Sequence, residues 1–67
     1  MKIGILGMGH LGKIHLKCIK EIPMFEIIGF YDTDIDKSIE AEKEFGVKRF
    51  SNINDLINAV DVVDIVT

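Results

Sequence analysis

Three glycines near the amino terminus have the spacing that lets a backbone turn hold a diphosphate. They stand in residues 7–12, which read GMGHLG and directly follow the apolar run at residues 3–6. That run is too short for a buried helix and carries β-branched side chains, so it predicts a buried parallel strand. A strand, a glycine turn and then a helix form the arrangement that grips the pyrophosphate of a dinucleotide.

Each glycine has a separate task in this interpretation. Gly7 lets the chain leave the strand in a conformation that is costly for any residue with a Cβ. Gly9 lets the backbone come within contact distance of a pyrophosphate, and Gly12 lets the helix lie close against the sheet. The start of the helix then offers unpaired N–H groups and a partial positive charge to the phosphates. The other residues of the turn would contribute mainly backbone N–H groups: Met8, His10 and Leu11.

A carboxylate after the second predicted strand supplies the other half of the pattern. Asp32 stands 20 residues after Gly12, where it can accept both hydroxyls of an adenosine ribose. Asp32 favours NAD over NADP, because it would repel a 2′-phosphate and because Thr33, not an arginine, follows it. The alternative is a structural turn, since Asp32, Thr33 and Asp34 are common turn residues.

Other side chains that could do chemistry have simpler explanations. His10 would act through its backbone, and His15 is expected to pack or hydrogen-bond locally in the helix. Cys18 is expected to be a buried, inert small hydrophobe. Asp64 interrupts an apolar run and reads more readily as a hydrogen-bonded structural carboxylate than as a catalytic one. Three lysines at helical spacing indicate a solvated helix face more readily than phosphate ligands: Lys13, Lys17 and Lys20.

The elements that must position these residues alternate along the chain. Helices are predicted at residues 11–22, 35–45 and 53–60, with Asp34 and Asn52 as N-caps of the second and third. The first of these helices has an apolar face of Leu11, Ile14, Cys18 and Ile22, with Ile19 beside them. Strands are predicted at residues 3–6, 26–31, 47–50 and 62–66. The order βαβαβαβ predicts an α/β, partial Rossmann fold with helices on both faces of a four-stranded parallel sheet of order 3-2-1-4.

The length and net charge of the chain limit the functions that it can have. A chain of 67 residues is at most one small domain, and its net charge of −3 argues against a nucleic-acid surface. No apolar run approaches the length of a membrane span. The single cysteine, Cys18, fits a cytoplasmic setting. We expect residues 1–67 to be the N-terminal part of a dinucleotide-binding domain, whose last strand would be an apolar edge that favours self-association and a homo-oligomer.

With these residues in hand, the chain resembles the N-terminal nucleotide-binding half of the Gfo/Idh/MocA oxidoreductases, the family of inositol and glucose–fructose dehydrogenases. The resemblance spans the whole chain. Its glycine motif is shared by many dehydrogenases, whereas the closing segment and the Glu-Phe-Gly spacing are more particular to this family. The matching segments are residues 7–12 with His15, residues 29–32, residues 44–47, residues 55–57 and residues 61–67.

The resemblance implies an NAD(P)-dependent dehydrogenase that acts on a sugar, a cyclitol or a related small polyol. It places the pyrophosphate at Gly7, Gly9 and Gly12, the adenosine ribose at Asp32, and the loop opened by Thr67 beside the cofactor. The family's catalytic lysine and histidine, and its substrate-binding domain, have no counterpart in these 67 residues. We therefore expect no catalytic residue and no turnover in this chain alone.

Two further functions use the same features. An NAD(H)-sensing regulatory module would contain the same cofactor half, and the sequence does not separate sensing from catalysis. An S-adenosylmethionine-dependent methyltransferase also combines a glycine turn with an acid after the second strand. Gly12 and its close-packed helix make the methyltransferase the weaker of the two alternatives.

Overall fold

The computed structural model of the chain describes residues 1–66, which form three strands and three helices. Thr67, which the sequence proposed as a cofactor neighbour, lies outside the described residues. The strands are β1 (Lys2–Leu6), β2 (Glu26–Tyr31) and β3 (Val62–Ile65), and the helices are α1 (His10–Lys20), α2 (Ile35–Phe45) and α3 (Ile53–Ala59). These elements confirm the predicted α/β class, with boundaries that differ by at most two residues from the predicted ones. The predicted strict alternation is not observed, because α2 and α3 follow each other without a strand between them.

The sheet is parallel and has three strands in the described residues, in the order β2-β1-β3. The sequence predicted four strands in the order 3-2-1-4, and the strand expected at residues 47–50 is reduced to an isolated parallel bridge between Phe30 and Arg49. The Phe30 N–H donates to the Lys48 carbonyl at 3.0 Å, and the Phe50 N–H donates to the Phe30 carbonyl at 2.8 Å. This segment therefore runs beside β2 without continuing as a strand.

Helices cover both faces of the sheet because neighbouring strand residues point to opposite sides. Ile3 and Ile5 of β1 belong to the buried cluster that includes Leu16 and Ile19 of α1. Gly4, between them, faces α3: a Cβ placed on Gly4 would lie 2.8 Å from the Leu56 side chain. The core thus has one layer on each side of β1.

Helix α1 presents a different face to the sheet from the one that the apolar pattern predicted. Its buried residues are Gly12, Leu16 and Ile19, whereas Ile14 and Cys18 of the predicted face are exposed. The expectation that Cys18 is a buried hydrophobe was therefore wrong. The reason is Gly12, which contacts the backbone of the preceding turn and so turns the residues four and seven positions later inward.

The other two helices begin at the caps that the sequence predicted. The Asp34 side chain accepts a hydrogen bond from the Lys37 N–H at 3.1 Å. The Asn52 side chain accepts one from the Asn54 N–H at 2.8 Å. Helix α2 ends at Gly46, whose φ of 66° is the left-handed conformation common after a helix. Within residues 1–66, no helix has the length and apolar character needed to cross a membrane.

Candidate cofactor-binding site

The carboxyl ends of the strands and the start of α1 enclose a cleft of about 440 Å³. This volume lies in the range of small-molecule sites. The cleft is lined by Gly7, Gly9, His10, Leu11, Gly12, Asp32, Thr33 and Val66. It therefore brings together six of the eight residues that the sequence proposed for the cofactor. Of the other two, Met8 lies beneath the turn with 1% of its surface exposed, and Thr67 lies outside the described residues.

The turn after β1 depends on two glycines for its backbone path. Gly7 has a φ of 96°, which side-chain-bearing residues rarely adopt, and a Cβ there would lie 2.5 Å from the Val66 carbonyl oxygen. Its N–H donates to the Tyr31 carbonyl at 2.8 Å, which ties the turn to the end of β2. A Cβ on Gly12 would overlap the Gly7 carbonyl. Gly12 thus seats α1 directly on the turn.

Gly9 differs from these two because the fold itself does not need a glycine there. Its φ of −70° is open to any residue. A Cβ on Gly9 would find no atom within 4 Å. Gly9 lines the cleft, so an added side chain would occupy space that the protein leaves open beside the helix start. A cradle that a Cβ would fill is what close backbone contact with a pyrophosphate requires.

The start of α1 is the only helix start in residues 1–66 without a side-chain cap. Its first turn also holds no acidic residue, whereas Asp36 and Asp55 stand in the first turns of α2 and α3. The first N–H groups of a helix have no intrahelical partner, and they carry the positive end of the helix dipole. At α1 these groups belong to residues that line the cleft. The site therefore suits an anion.

Asp32 links the glycine turn to the start of α2. One carboxylate oxygen accepts the Met8 N–H at 2.6 Å, and the other accepts the Asp34 N–H at 2.8 Å. A carboxylate has about four lone-pair positions, so two remain for a ligand. Asp32 can therefore accept ribose hydroxyls while it holds the turn in place. Met8 has its N–H on this carboxylate and its side chain in the core.

The structure adds residues to the site that the sequence did not single out. Val66 lines the cleft, and its N–H donates to the Leu6 carbonyl at 2.9 Å. A smaller adjoining recess of about 200 Å³ has apolar walls that include Ile53 and Ile65, with Tyr31 beside them. The predicted topology could have indicated these residues, because the carboxyl ends of parallel strands meet at one edge of a sheet.

The remaining candidates lie apart from the cleft lining. His15 bonds across to β3, where its Nδ1 lies 2.8 Å from an Asp64 carboxylate oxygen. Asp64 is thus a hydrogen-bonded carboxylate, as the sequence predicted. Lys13 pairs with Glu44 at 3.3 Å. The residues that the structure describes contain no cluster of His, Cys, Asp and Glu that could hold a metal ion.

The glycine turn, the uncapped helix and the acid after β2 together define a dinucleotide-binding α/β unit. Comparison with known proteins then identifies the family. Residues 1–67 match the family described as "Oxidoreductase family, NAD-binding Rossmann fold", the Gfo/Idh/MocA family, and the chain belongs to it. The resemblance stated from the sequence is confirmed.

Two curated relatives are dehydrogenases of sugars by name. UDP-N-acetylglucosamine 3-dehydrogenase of Acidithiobacillus ferrooxidans is 31% identical over 67 residues, which are 100% of this chain and 21% of that protein. Glucose-6-phosphate 3-dehydrogenase of Bacillus subtilis is 36% identical over 58 residues, which are 87% of this chain and 17% of that protein. The chain thus spans about a fifth of the length of these relatives.

Solved structures of the Acidithiobacillus ferrooxidans enzyme superimpose closely on this fold. Two of them give TM-scores of 0.87 and 0.88 at 31% sequence identity and cover 100% of this chain. They also show the share of the longer protein that the chain represents, which is 21% and 22%.

Proposed function

We propose that this chain binds NAD and forms the cofactor-holding part of a dehydrogenase that acts on a sugar. One observation carries the proposal: the space over Gly9 is open, and it lies beside a helix start with neither a side-chain cap nor an acid in its first turn. A protein that used this turn only for folding would gain by capping the helix or filling the space.

Each residue that the sequence indicated for the cofactor has a role in this proposal. The N–H groups of His10, Leu11 and Gly12 face the pyrophosphate, and Gly9 lets it approach. Asp32 accepts hydrogen bonds from the adenosine ribose hydroxyls. The Met8 N–H donates to Asp32 and so holds the turn in place. Gly7 supplies the turn. Thr67 is proposed beside the cofactor on the resemblance alone.

The adjoining recess suits the adenine ring. It shares Gly7, Asp32, Thr33 and Val66 with the main cleft, and its further walls are mostly apolar. A flat aromatic base gains from apolar burial. A ligand whose diphosphate lies at α1 and whose ribose lies on Asp32 would therefore place its base among these side chains.

NAD is the preferred cofactor in this proposal. A 2′-phosphate would lie against the Asp32 carboxylate, whose charge would repel it. Both carboxylate oxygens of Asp32 are held in place by backbone N–H groups, which fixes this charge at the ribose position. Among the residues that line the cleft there is no lysine or arginine that could hold a phosphate at this position.

The activity and substrate are proposed from the named relatives. When bound, NAD would accept or supply a hydride at a carbon of a sugar, a cyclitol or a related polyol. The chain's own part is to hold and orient the cofactor and to shield it on one side. The groups that bind the substrate and move its proton are proposed to belong to a different part of the whole protein.

Three further features are proposed with this function. A cytoplasmic location rests on the single cysteine. A homo-oligomer rests on the apolar outer edge of β3, where Ile65 is 68% exposed. The four-strand order 3-2-1-4 rests on the two hydrogen bonds that residues 47–50 exchange with Phe30.

Calorimetric titration tests the proposed function. We expect the chain to bind NAD more tightly than NADP, and to bind S-adenosylmethionine weakly or not at all. Replacing Asp32 with alanine should weaken NAD binding. Equal affinity for NAD in both proteins would remove Asp32 from the site, and a preference for S-adenosylmethionine would replace the proposed ligand.

A further inference from the structure

A histidine and a carboxylate outside the cleft lining connect the cofactor-facing helix to the neighbouring strand. His15 Nδ1 of α1 lies 2.8 Å from an Asp64 carboxylate oxygen of β3, although 49 residues separate the two in sequence. Because a carboxylate can only accept, the ring donates an N–H at this position. The side chain of Asp64 is 24% exposed and that of His15 is 44% exposed.

The two residues form a dyad (His15 and Asp64). Their hydrogen bond is the only one between α1 and β3 among residues 1–66. Each partner lies close behind a residue that lines the cleft. Gly12 precedes His15 by three residues, which is roughly 4.5 Å along a helix. Val66 follows Asp64 by two residues, which is roughly 7 Å along a strand. The dyad therefore connects the helix and the strand that lead to two of the residues lining the cleft.

Charge gives the dyad a second consequence. Asp64 pairs with Ile5 in the sheet, two residues before Gly7, which is roughly 7 Å along a strand. The glycine turn therefore lies within about one Debye length of Asp64 at physiological ionic strength. Unpaired, the Asp64 carboxylate would repel the proposed pyrophosphate. Lys13, the nearest lysine of α1 to the turn, is already paired with Glu44 at 3.3 Å. The His15 N–H points at the Asp64 carboxylate and offsets part of its negative charge.

We infer that His15 is a positioning residue for the cofactor. Its side chain masks the Asp64 carboxylate near the pyrophosphate site and fixes α1 against β3. This inference rests on the proposed function, since it names a residue that tunes the same site. It concerns anion affinity at the glycine turn. No step of the hydride transfer passes through the dyad.

Removing the donor and then the carboxylate separates charge masking by His15 from simple structural support. The His15→Ala variant removes the donor that faces the Asp64 carboxylate, and we expect roughly 3- to 10-fold weaker NAD binding at low salt. Adding Asp64→Asn to that variant should restore affinity to within about 2-fold, since the repelling charge is gone. Raising the salt concentration should shrink the loss in the single variant. Lys17→Ala, which removes an exposed cation from the same helix, is the matched control and should change affinity by less than about 2-fold.

Two outcomes would overturn the inference. A double variant that binds no better than His15→Ala would show that the dyad only supports the fold, and so would a loss that is independent of salt. Inorganic pyrophosphate serves as a second probe that needs no nucleoside. If the wild-type chain binds pyrophosphate with this dependence on His15 but does not bind NAD, the inference holds and the proposed function fails. If it binds neither, both fail.

Discussion

Replacing Gly9 with alanine should separate ligand binding from folding. The backbone of Gly9 has an ordinary φ of −70°, and a Cβ there meets no atom within 4 Å. The variant should therefore fold as the wild type does. At the same time its methyl group would stand in the space that we assign to the pyrophosphate. Few positions in a binding turn offer this separation.

The expected magnitudes follow from the geometry. Gly9 is the N-cap of α1, where alanine costs roughly 0.5–1 kcal/mol relative to glycine. Alanine also makes the unfolded chain less flexible, which stabilises the folded state by about 0.4–1 kcal/mol. The free energy of unfolding should therefore change by less than about 1 kcal/mol. Losing one charge-assisted hydrogen bond to the pyrophosphate costs roughly 1.5–3 kcal/mol. NAD affinity should therefore fall about 10- to 100-fold.

Urea unfolding followed by circular dichroism measures the first quantity, and calorimetric titration with NAD measures the second. The reasoning would be refuted by a Gly9→Ala chain that binds NAD as tightly as the wild type. It would also be refuted by a variant that unfolds so readily that the loss of binding reflects loss of structure. Gly12→Ala is the contrasting variant, because its Cβ would overlap the backbone of Gly7.

The remaining predictions concern stability and assembly. Gly12→Ala should destabilise the fold by more than about 2 kcal/mol, because backbone cannot yield as a side chain can, and urea unfolding would show it. Leu56→Ala should cost about 2–4 kcal/mol in the same assay, since Leu56 is fully buried against β1. Asp34→Ala should cost about 1 kcal/mol, because the cap of α2 is lost. The free chain should self-associate through the exposed apolar edge of β3, which light scattering would detect as a mass above 7.5 kDa.

Each of these has a contradicting result. A Gly12→Ala chain as stable as the wild type would mean that α1 does not rest on the turn. A loss below about 1 kcal/mol for Leu56→Ala would mean that the α3 layer is loosely packed. An unchanged midpoint for Asp34→Ala would show that water replaces the cap. A monodisperse monomer across a concentration series would rule out self-association through β3.

Local signals predicted much of this fold from the sequence. The turn at Gly7 and the caps at Asp34 and Asn52 each depend on one residue type and its immediate neighbours. The spacing between the glycine turn and Asp32 likewise reflects one strand–helix–strand unit. Such features need no knowledge of distant contacts, and the structure places them where the sequence indicated.

Features that depend on distant contacts were predicted less well. Helix α1 carries two competing apolar stripes, one through Ile14 and Cys18 and the other through Leu16 and Ile19. The backbone contact between Gly12 and Gly7 selects the second, and periodicity alone does not contain that contact. The hydrogen bond from Met8 to Asp32 was missed for a similar reason, because 24 residues separate its partners.

The strand expected at residues 47–50 shows a third limit. Its composition is only weakly typical of a strand, since Val47 and Phe50 flank two charged residues. In the structure it makes one bridge to β2 and packs Phe50 over Gly29. Whether so short a segment counts as a strand depends on hydrogen bonds that lie at the edge of the sheet, where nothing in the sequence fixes their number.

The most direct test of the central claim is an amide-resolved NMR titration of the chain with NAD. We predict that the largest shifts fall on the N–H groups of residues 9–12 at the start of α1, and on Asp32 and Thr33 after β2. The amide shifts at the N-capped starts of α2 and α3 should stay nearly unchanged. Saturable shifts centred elsewhere, or none at millimolar NAD, would contradict the assignment of the glycine turn as the pyrophosphate site.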